Sequence, residues 1–246
     1  MHFHDSPSVD KSPERIRRLF NAIAPRYDLM NHLLSFGIDH SWRNFTARQV
    51  IHPHIPEGDI LDVCCGTGDL SLAFLKQQQK CGVERVNCGI DFSPEMINIA
   101  QRKAKQCPAL HFSVGDALSL PFEENRFAVV AIAFGLRNVC DPQQGLVEMI
   151  RVCKPKGTVA VLDFSMPTLP ILRYCYQFYF RTVLPRLGQW FVKNRDQAYN
   201  YLPESVLKFD RPEQLAERLK QLGITDVRIA SLTFGIATLV WGRRTT

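Results

Sequence analysis

Apolar positions recur at two different spacings along the chain, and the change from one to the other divides it. Ile16, Leu19, Phe20 and Ile23 stand at i, i+3, i+4 and i+7, one stripe of a helix. Ser12, Pro13 and Glu14 open that helix as cap, first-turn proline and first-turn acid. Pro25 predicts a break. A second helical stretch follows from Tyr27 to Leu34, ending near Ser35-Phe36-Gly37, and a third from Asp39 to Val50. Residues 1–55 therefore read as a helical extension, its first ten residues a loose tail.

Beyond residue 55 short apolar runs replace the stripes. Ile60–Cys64, Val86–Ile90, Leu110–Val114, Phe127–Ala133 and Gly157–Phe164 predict five strands. Asp69 to Lys80, Pro94 to about Gln106 and Pro142 to Val152 predict the helices between them. Strands alternating with helices mean a parallel sheet with right-handed crossovers. Phe127–Ala133 is apolar throughout, as a strand covered on both faces should be. Arg211 to Leu222 predicts a further helix, with Pro212 near its start and Gly223 past its end. Val227–Leu232 and Ile236–Trp241 are then joined only by Thr233-Phe234-Gly235, which makes an antiparallel hairpin.

A parallel sheet finished by such a hairpin is the arrangement of the class I S-adenosylmethionine methyltransferases. The predicted fold is therefore α/β and Rossmann-like. It has a mostly parallel seven-stranded sheet, an antiparallel last strand and a helical N-terminal extension. It reads as one domain over 1–246: the extension to 55, a cofactor-binding core over 56–165, an insertion over 166–210, and a helix with the closing hairpin over 211–246.

Composition narrows the class. With 246 residues, 46% hydrophobic and 22% charged, the chain has apolar surface enough for a core. Its net charge of +6 permits attraction to an anionic surface without requiring nucleic acid. The longest charge-free stretches, such as Leu232 to Gly242, fall short of the roughly 20 apolar residues of a membrane span. The opening MHFHDSPSVDK has neither the basic flank nor the apolar centre of a secretory signal. The eight cysteines show no C-x-x-C pair and no zinc spacing, so they read as small buried hydrophobes in a reducing cytosol. No metal site is expected.

The candidate chemistry lies where strands end. Gly66-Thr67-Gly68 joins the first strand to the helix at Asp69, and its glycines allow a tight turn and a close ligand. The helix then aims its first amides at that ligand, here the carboxylate of S-adenosylmethionine. Asp91 closes the second strand and suits a pair of ribose hydroxyls. Its plainer role is to cap the helix that follows. Asp116 and Ala117 follow the third strand and suit adenine; Asp116 would otherwise be a turn acid. A nicotinamide site is disfavoured, because Ser71 stands where a third glycine would be needed.

Six segments in order then carry a resemblance. They are Tyr27-Asp28-Leu29-Met30-Asn31, Ser35-Phe36-Gly37-Ile38, Gly66-Thr67-Gly68-Asp69, Phe134-Gly135-Leu136-Arg137-Asn138-Val139, Leu162-Asp163-Phe164-Ser165 and Tyr201-Leu202-Pro203-Glu204-Ser205. From about residue 12 to 243 the chain resembles the quinone C-methyltransferases of menaquinone and ubiquinone biosynthesis. Phe-Gly-Leu-Arg-Asn is the most specific of these segments. The resemblance implies methyl transfer from S-adenosylmethionine to a ring carbon of a polyprenylated quinol. Demethylmenaquinol is the favoured acceptor and a ubiquinone-route benzoquinol the runner-up. An RNA methyltransferase and a cofactor-binding subunit without chemistry are the readings outside the class.

Carried onto this chain, the resemblance implies that Gly66, Thr67, Gly68, Asp91, Asp116 and Ala117 hold the cofactor. Arg137 would pair with the developing phenolate while Asn138 orients the ring; alternatively Arg137 anchors its loop. Tyr27 and Asn31 would line the substrate mouth. Three positions depart from the family pattern: Ala133 where Ser is frequent, Cys64 where Gly or Ala is, and His40 where Arg is expected. Tyr174 to Tyr201 holds nine aromatics among Arg173, Arg181, Arg186, Lys193 and Arg195. That segment suits an apolar channel with a basic rim, drawing its substrate from an anionic bilayer. A core insertion and an RNA-stacking surface are its alternatives. The expected setting is cytoplasmic, peripheral at the inner face of the membrane, with a homodimer left open.

Overall fold

In the computed structural model the described residues are 13–35, 37–167, 169–171, 173, 174, 182, 205 and 209–245. Helices α1 (Pro13–Leu34) and α2 (Ile38–Val50) come first. The alternating core follows: β1 (Asp59–Val63), α3 (Asp69–Cys81), β2 (Asn87–Asp91), α4 (Pro94–Lys103), β3 (Leu110–Val114), β4 (Phe127–Ala133), α5 (Pro142–Val152) and β5 (Cys153–Phe164). Helix α6 (Pro212–Gln221) and strands β6 (Ile224–Leu232) and β7 (Ala237–Arg244) complete it.

The seven strands lie in the order β3-β2-β1-β4-β5-β7-β6. The first five are parallel, and β7 runs antiparallel between β5 and β6. The chain winds outward from β1 to β3 and restarts beside β1 with β4. The switch point therefore falls between β1 and β4, where open α/β sheets bind ligands at the carboxyl ends of their strands.

Strand alternation splits the core between the two faces. Ile60, Val129, Ala131, Ala160 and Leu162 face α2 and α3, with Trp42, Val50 and Phe74 buried against them. Leu61, Val63, Val130, Ile132 and Val161 face α5 and α6, against Leu146, Met149 and Leu219. Both sides of β4 are covered, as its unbroken apolar run requires.

Two expectations change. Pro25 does not end a helix: α1 runs through it. Ile16, Phe20, Ala24 and Tyr27 form one helical face spanning the proline, while Pro25 is exposed on the opposite side. The packing face is thus continuous, and the lost backbone bond falls where it costs least. Cys140 is exposed rather than buried, unlike Cys65, Cys88 and Cys153. Ser12, Cys175 and most of the aromatic and basic insertion lie outside the described residues, as does the side chain of Asn31. No helix among the described residues is long and apolar enough to cross a membrane.

Candidate active site

The two strands flanking the switch point leave the sheet in the same unusual way. β1 exits through Cys64 at φ 53 and β4 through Phe134 at φ 58, both in the left-handed region that disfavours side chains. The exits pack on each other: a Cβ on Gly135 would lie 2.6 Å from Cys64 Cβ. Only glycine permits that approach.

After Cys64 the chain turns tightly. The Cys65 N–H donates to Ile90 O (3.0 Å), and the Gly68 N–H donates to Cys65 O (2.9 Å). Gly66 has φ 54 and Gly68, which precedes α3, φ 87. Asp91 braces the turn from β2. Its Oδ2 accepts from the Gly66 N–H (2.8 Å) and its Oδ1 from the Ser93 N–H (2.9 Å). Ser93, not Asp91, caps α4 by accepting from the Met96 N–H. Burial pushes the Asp91 carboxyl above its ordinary value, and these backbone donors pull it back. Each oxygen keeps lone-pair capacity for a further donor. Asp116 is held by the Leu118 N–H, which donates to its Oδ1 (2.9 Å).

These elements enclose a cleft of about 820 Å³, part of it open to solvent. Gly66, Asp91, Asp116 and Ala117 line it together, and so do Tyr27 and Asn138. Phe92, Met96, Leu118 and Val139 give it apolar walls, and Ile16 and Phe20 of α1 close over it. A few directed polar groups among apolar walls suit a nucleoside with an extended tail. Thr67 and Gly68 do not line the cleft. Thr67 is buried behind it, donating to Asp28 Oδ1 and accepting from Lys103 Nζ (3.0 Å).

Arg137 is the clearest difference from expectation. Its guanidinium is 3% exposed and does not line the cleft. It turns inward, donating to Asp163 Oδ1 and to Phe134 O, each at 2.6 Å. It also lies 5.0 Å from the centre of the Phe164 ring. Asp163 is equally buried, and burial raises its carboxyl against the pull of Arg137. A buried carboxylate demands a cation, and Arg137 is the nearest one. This corresponds to the anchoring role. Asn138, its neighbour, does reach the cleft.

A polar network beneath α1 has no counterpart in the sequence reading. Lys103 of α4 holds Asp28 Oδ2 of α1 (2.6 Å) and Asp69 Oδ1 of α3 (2.7 Å). His32 Nδ1 meets Asp39 Oδ2 (2.8 Å), which Arg43 also holds. Burial works against the charge on Asp39, but the Ser35 hydroxyl and Arg43 hold its carboxyl down at about 2. The clusters Asp28–His32–Asp69 and His32–Asp39–His40 have metal-like spacing. Lys103 already bonds Asp28 and Asp69, and Arg43 already bonds Asp39, so cations of this chain answer these acids. Asp28, Asp69 and Lys103 are far apart in sequence, so no spacing could reveal their meeting. The stripe of α1, followed past Pro25 to Tyr27, would have revealed its continuous lid face.

The fold and the cleft together define a class I methyltransferase. The comparisons with known proteins agree. Residues 8–244 match the ubiE/COQ5 methyltransferase family, and the chain belongs to that family. It is 43% identical over 240 residues to the ubiquinone/menaquinone biosynthesis C-methyltransferase UbiE of Citrifermentans bemidjiense, covering 96% of this chain and 99% of the relative. It is 42% identical to the demethylmenaquinone methyltransferase of Deinococcus radiodurans, covering 91% and 90%. Among solved structures, phosphoethanolamine N-methyltransferase 2 of Haemonchus contortus in complex with S-adenosyl-L-methionine shares the fold. Its TM-score is 0.59 at 15% identity, over 83% of this chain and 52% of that one.

Proposed function

We propose that this protein transfers a methyl group from S-adenosylmethionine to a ring carbon of a polyprenylated quinol, with demethylmenaquinol the favoured acceptor. One observation carries the reading: Gly66, Asp91 and Asp116 converge with Asn138 on a single apolar-walled cleft at the switch point. The names of the relatives supply the acceptor class.

S-adenosylmethionine supplies an electrophilic methyl when bound. The Gly66 turn gives its tail room, Asp91 accepts from the ribose hydroxyls, and Asp116 with Ala117 receives the adenine. Tyr27 of the lid helix borders the acceptor, and Asn31 is assigned to it from the sequence alone. The acceptor carbon becomes nucleophilic when its neighbouring hydroxyl ionises. A phenol of pKa near 10 is ionised to about one part in a thousand at pH 7, a gap worth ~4 kcal/mol. A positioned cleft lowers that barrier by orienting the ring and favouring the ionised form. Arg137 contributes as a positioning residue, holding the Phe134 carbonyl and so the Asn138 loop. Delivery involves transient contact between the basic, aromatic insertion and an anionic membrane surface.

The test gives methyl-labelled S-adenosylmethionine to the protein with reduced demethylmenaquinol or reduced demethylated benzoquinol, with products read by mass spectrometry. Label in menaquinol alone is expected. Label in neither acceptor, with the cofactor bound, ends the quinol reading.

A further inference from the structure

We infer that Asn21 of α1 is a positioning residue for the bound cofactor: through the Ser93 hydroxyl it sets the carboxylate of Asp91, so that closure of the lid helix and occupation of the ribose site favour each other. The inference rests on the cofactor reading and adds how the lid senses that the cofactor is in place.

Three consecutive residues after the body of β2 carry the link. Asp91 lines the cleft and accepts from the Gly66 and Ser93 N–H groups at 2.8 and 2.9 Å. Phe92 also lines the cleft, and the guanidinium of Arg17 in α1 lies 5.5 Å from its ring centre. Ser93 does not line the cleft and is 1% exposed. Its hydroxyl oxygen accepts from the Met96 N–H at 3.2 Å, which leaves its hydrogen to donate. Asn21 Oδ1 takes that hydrogen at 2.6 Å. Capping of α4 needs only the Ser93 oxygen, so it does not account for Asn21. Arg17 and Asn21 stand one helical turn apart on the same side of α1. They lie next to Ile16 and Phe20, which close over the cleft. The helix therefore grips the ribose loop with two polar residues as well as covering it with apolar ones.

Both ends of this chain of bonds depend on one arrangement of the loop. The Ser93 N–H fixes one oxygen of Asp91, and the Ser93 hydroxyl fixes Ser93 itself. If α1 lifts, a buried hydroxyl loses its acceptor, and the loop loses the restraint that aims Asp91. If ribose hydroxyls bond Asp91, they hold the loop where Asn21 can reach it. Hydrogen bonds in series strengthen one another. The linkage is reciprocal: whatever closure adds to ribose affinity, ribose adds to closure. Tyr27, on the same helix, meets the Phe20 ring edge-on at 6.1 Å and lines the cleft. Seating the cofactor thus also settles the wall beside Tyr27.

The test is a cycle between protein and ligand, with affinities read by calorimetry. Wild type and Asn21→Ala are each given S-adenosylhomocysteine and its 2′,3′-dideoxyribose analogue. The substitution should weaken S-adenosylhomocysteine about fivefold, the loss of one neutral hydrogen bond. It should weaken the analogue by less than about twofold, a coupling that a merely structural loss does not produce. Retained binding of the analogue also shows that the variant folds. Hydrogen exchange reads the lid: S-adenosylhomocysteine should slow the amides of α1 in wild type, and the analogue should slow them much less. Equal weakening of both ligands overturns the inference, and so does no weakening of either. Equal protection of α1 by the two ligands overturns it too. If wild type binds S-adenosylhomocysteine in these cases, the cofactor reading stands without the inference. If it binds neither ligand, both fall.

Discussion

The two halves of the sheet edge each bury an aspartate, and they neutralise it in opposite ways. On the β1 side, Asp62 lies 1% exposed, with its Oδ2 accepting from the Ser71 hydroxyl (2.7 Å) and its Oδ1 unpartnered. Burial pushes its carboxyl up to about 7, with Ser71 pulling back. On the β5 side, Asp163 has a guanidinium at 2.6 Å and a backbone donor, Phe164 N–H, at 2.8 Å. A hydroxyl lets a carboxyl keep its proton; a guanidinium holds it as an ion. The β1 side thus puts Gly66 and, from β2, Asp91 on the cleft wall. The β5 side hides its buried charge pair behind the wall and uses it to aim a loop.

Breaking the ion pair should give the largest effect. Arg137→Ala leaves Asp163 buried without its cation, a change that costs ~3–5 kcal/mol in comparable pairs. Urea unfolding should show that loss, and Arg137→Met with Asp163→Leu should recover most of it. A loss under ~1 kcal/mol would mean that the pair holds nothing in place. Next comes Asp62. Below about pH 4 its carboxyl is protonated in both folded and unfolded chains. Between there and about pH 7 only the unfolded chain ionises it, so stability falls as pH rises; above that range the loss is complete. Three pKa units correspond to about 4 kcal/mol. Asp62→Asn abolishes this fall, so its advantage over wild type should grow from pH 4 to 7 and then level off. An advantage independent of pH would show that Asp62 is ionised when folded. The smallest effect sharpens the lid. Lys103 is 28% exposed, so Lys103→Met should shift stability by under ~1 kcal/mol. It should nevertheless speed release of S-adenosylhomocysteine, because the tie between α1 and α4 is gone. An unchanged release rate, by stopped-flow fluorescence, would leave α1 closed without that tie.

The same contrast explains what was legible in the sequence. The strands, the hairpin and the turn at Gly66 are local patterns: short apolar runs, a three-residue connection, two glycines before an acid. Asp91 and Asp116 follow strand ends, and strand ends meet at one edge by topology. Residue type near a strand end gives position, however, not direction. Arg137 and Asn138 are adjacent, and only the partner 26 residues away, Asp163, decides which of them faces the cleft. Pro25 misled for a related reason. A proline's cost depends on whether its side of the helix is packed or exposed, and that is set by elements elsewhere in the chain.

The place of β7 bears on how the protein is made. It follows both of its neighbours in the chain, yet it sits inside the sheet, with Ala237, Leu239 and Val240 buried between β5 and β6. Until it emerges, β5 has one open edge and β6 has no neighbour at all. The five parallel strands can assemble during synthesis, but that edge must wait. Thr233 at the hairpin tip, which takes the Trp42 indole N–H at 2.8 Å, must wait with it. A growing chain therefore displays an unpaired edge of β5, beside Asp163, until β7 has followed it.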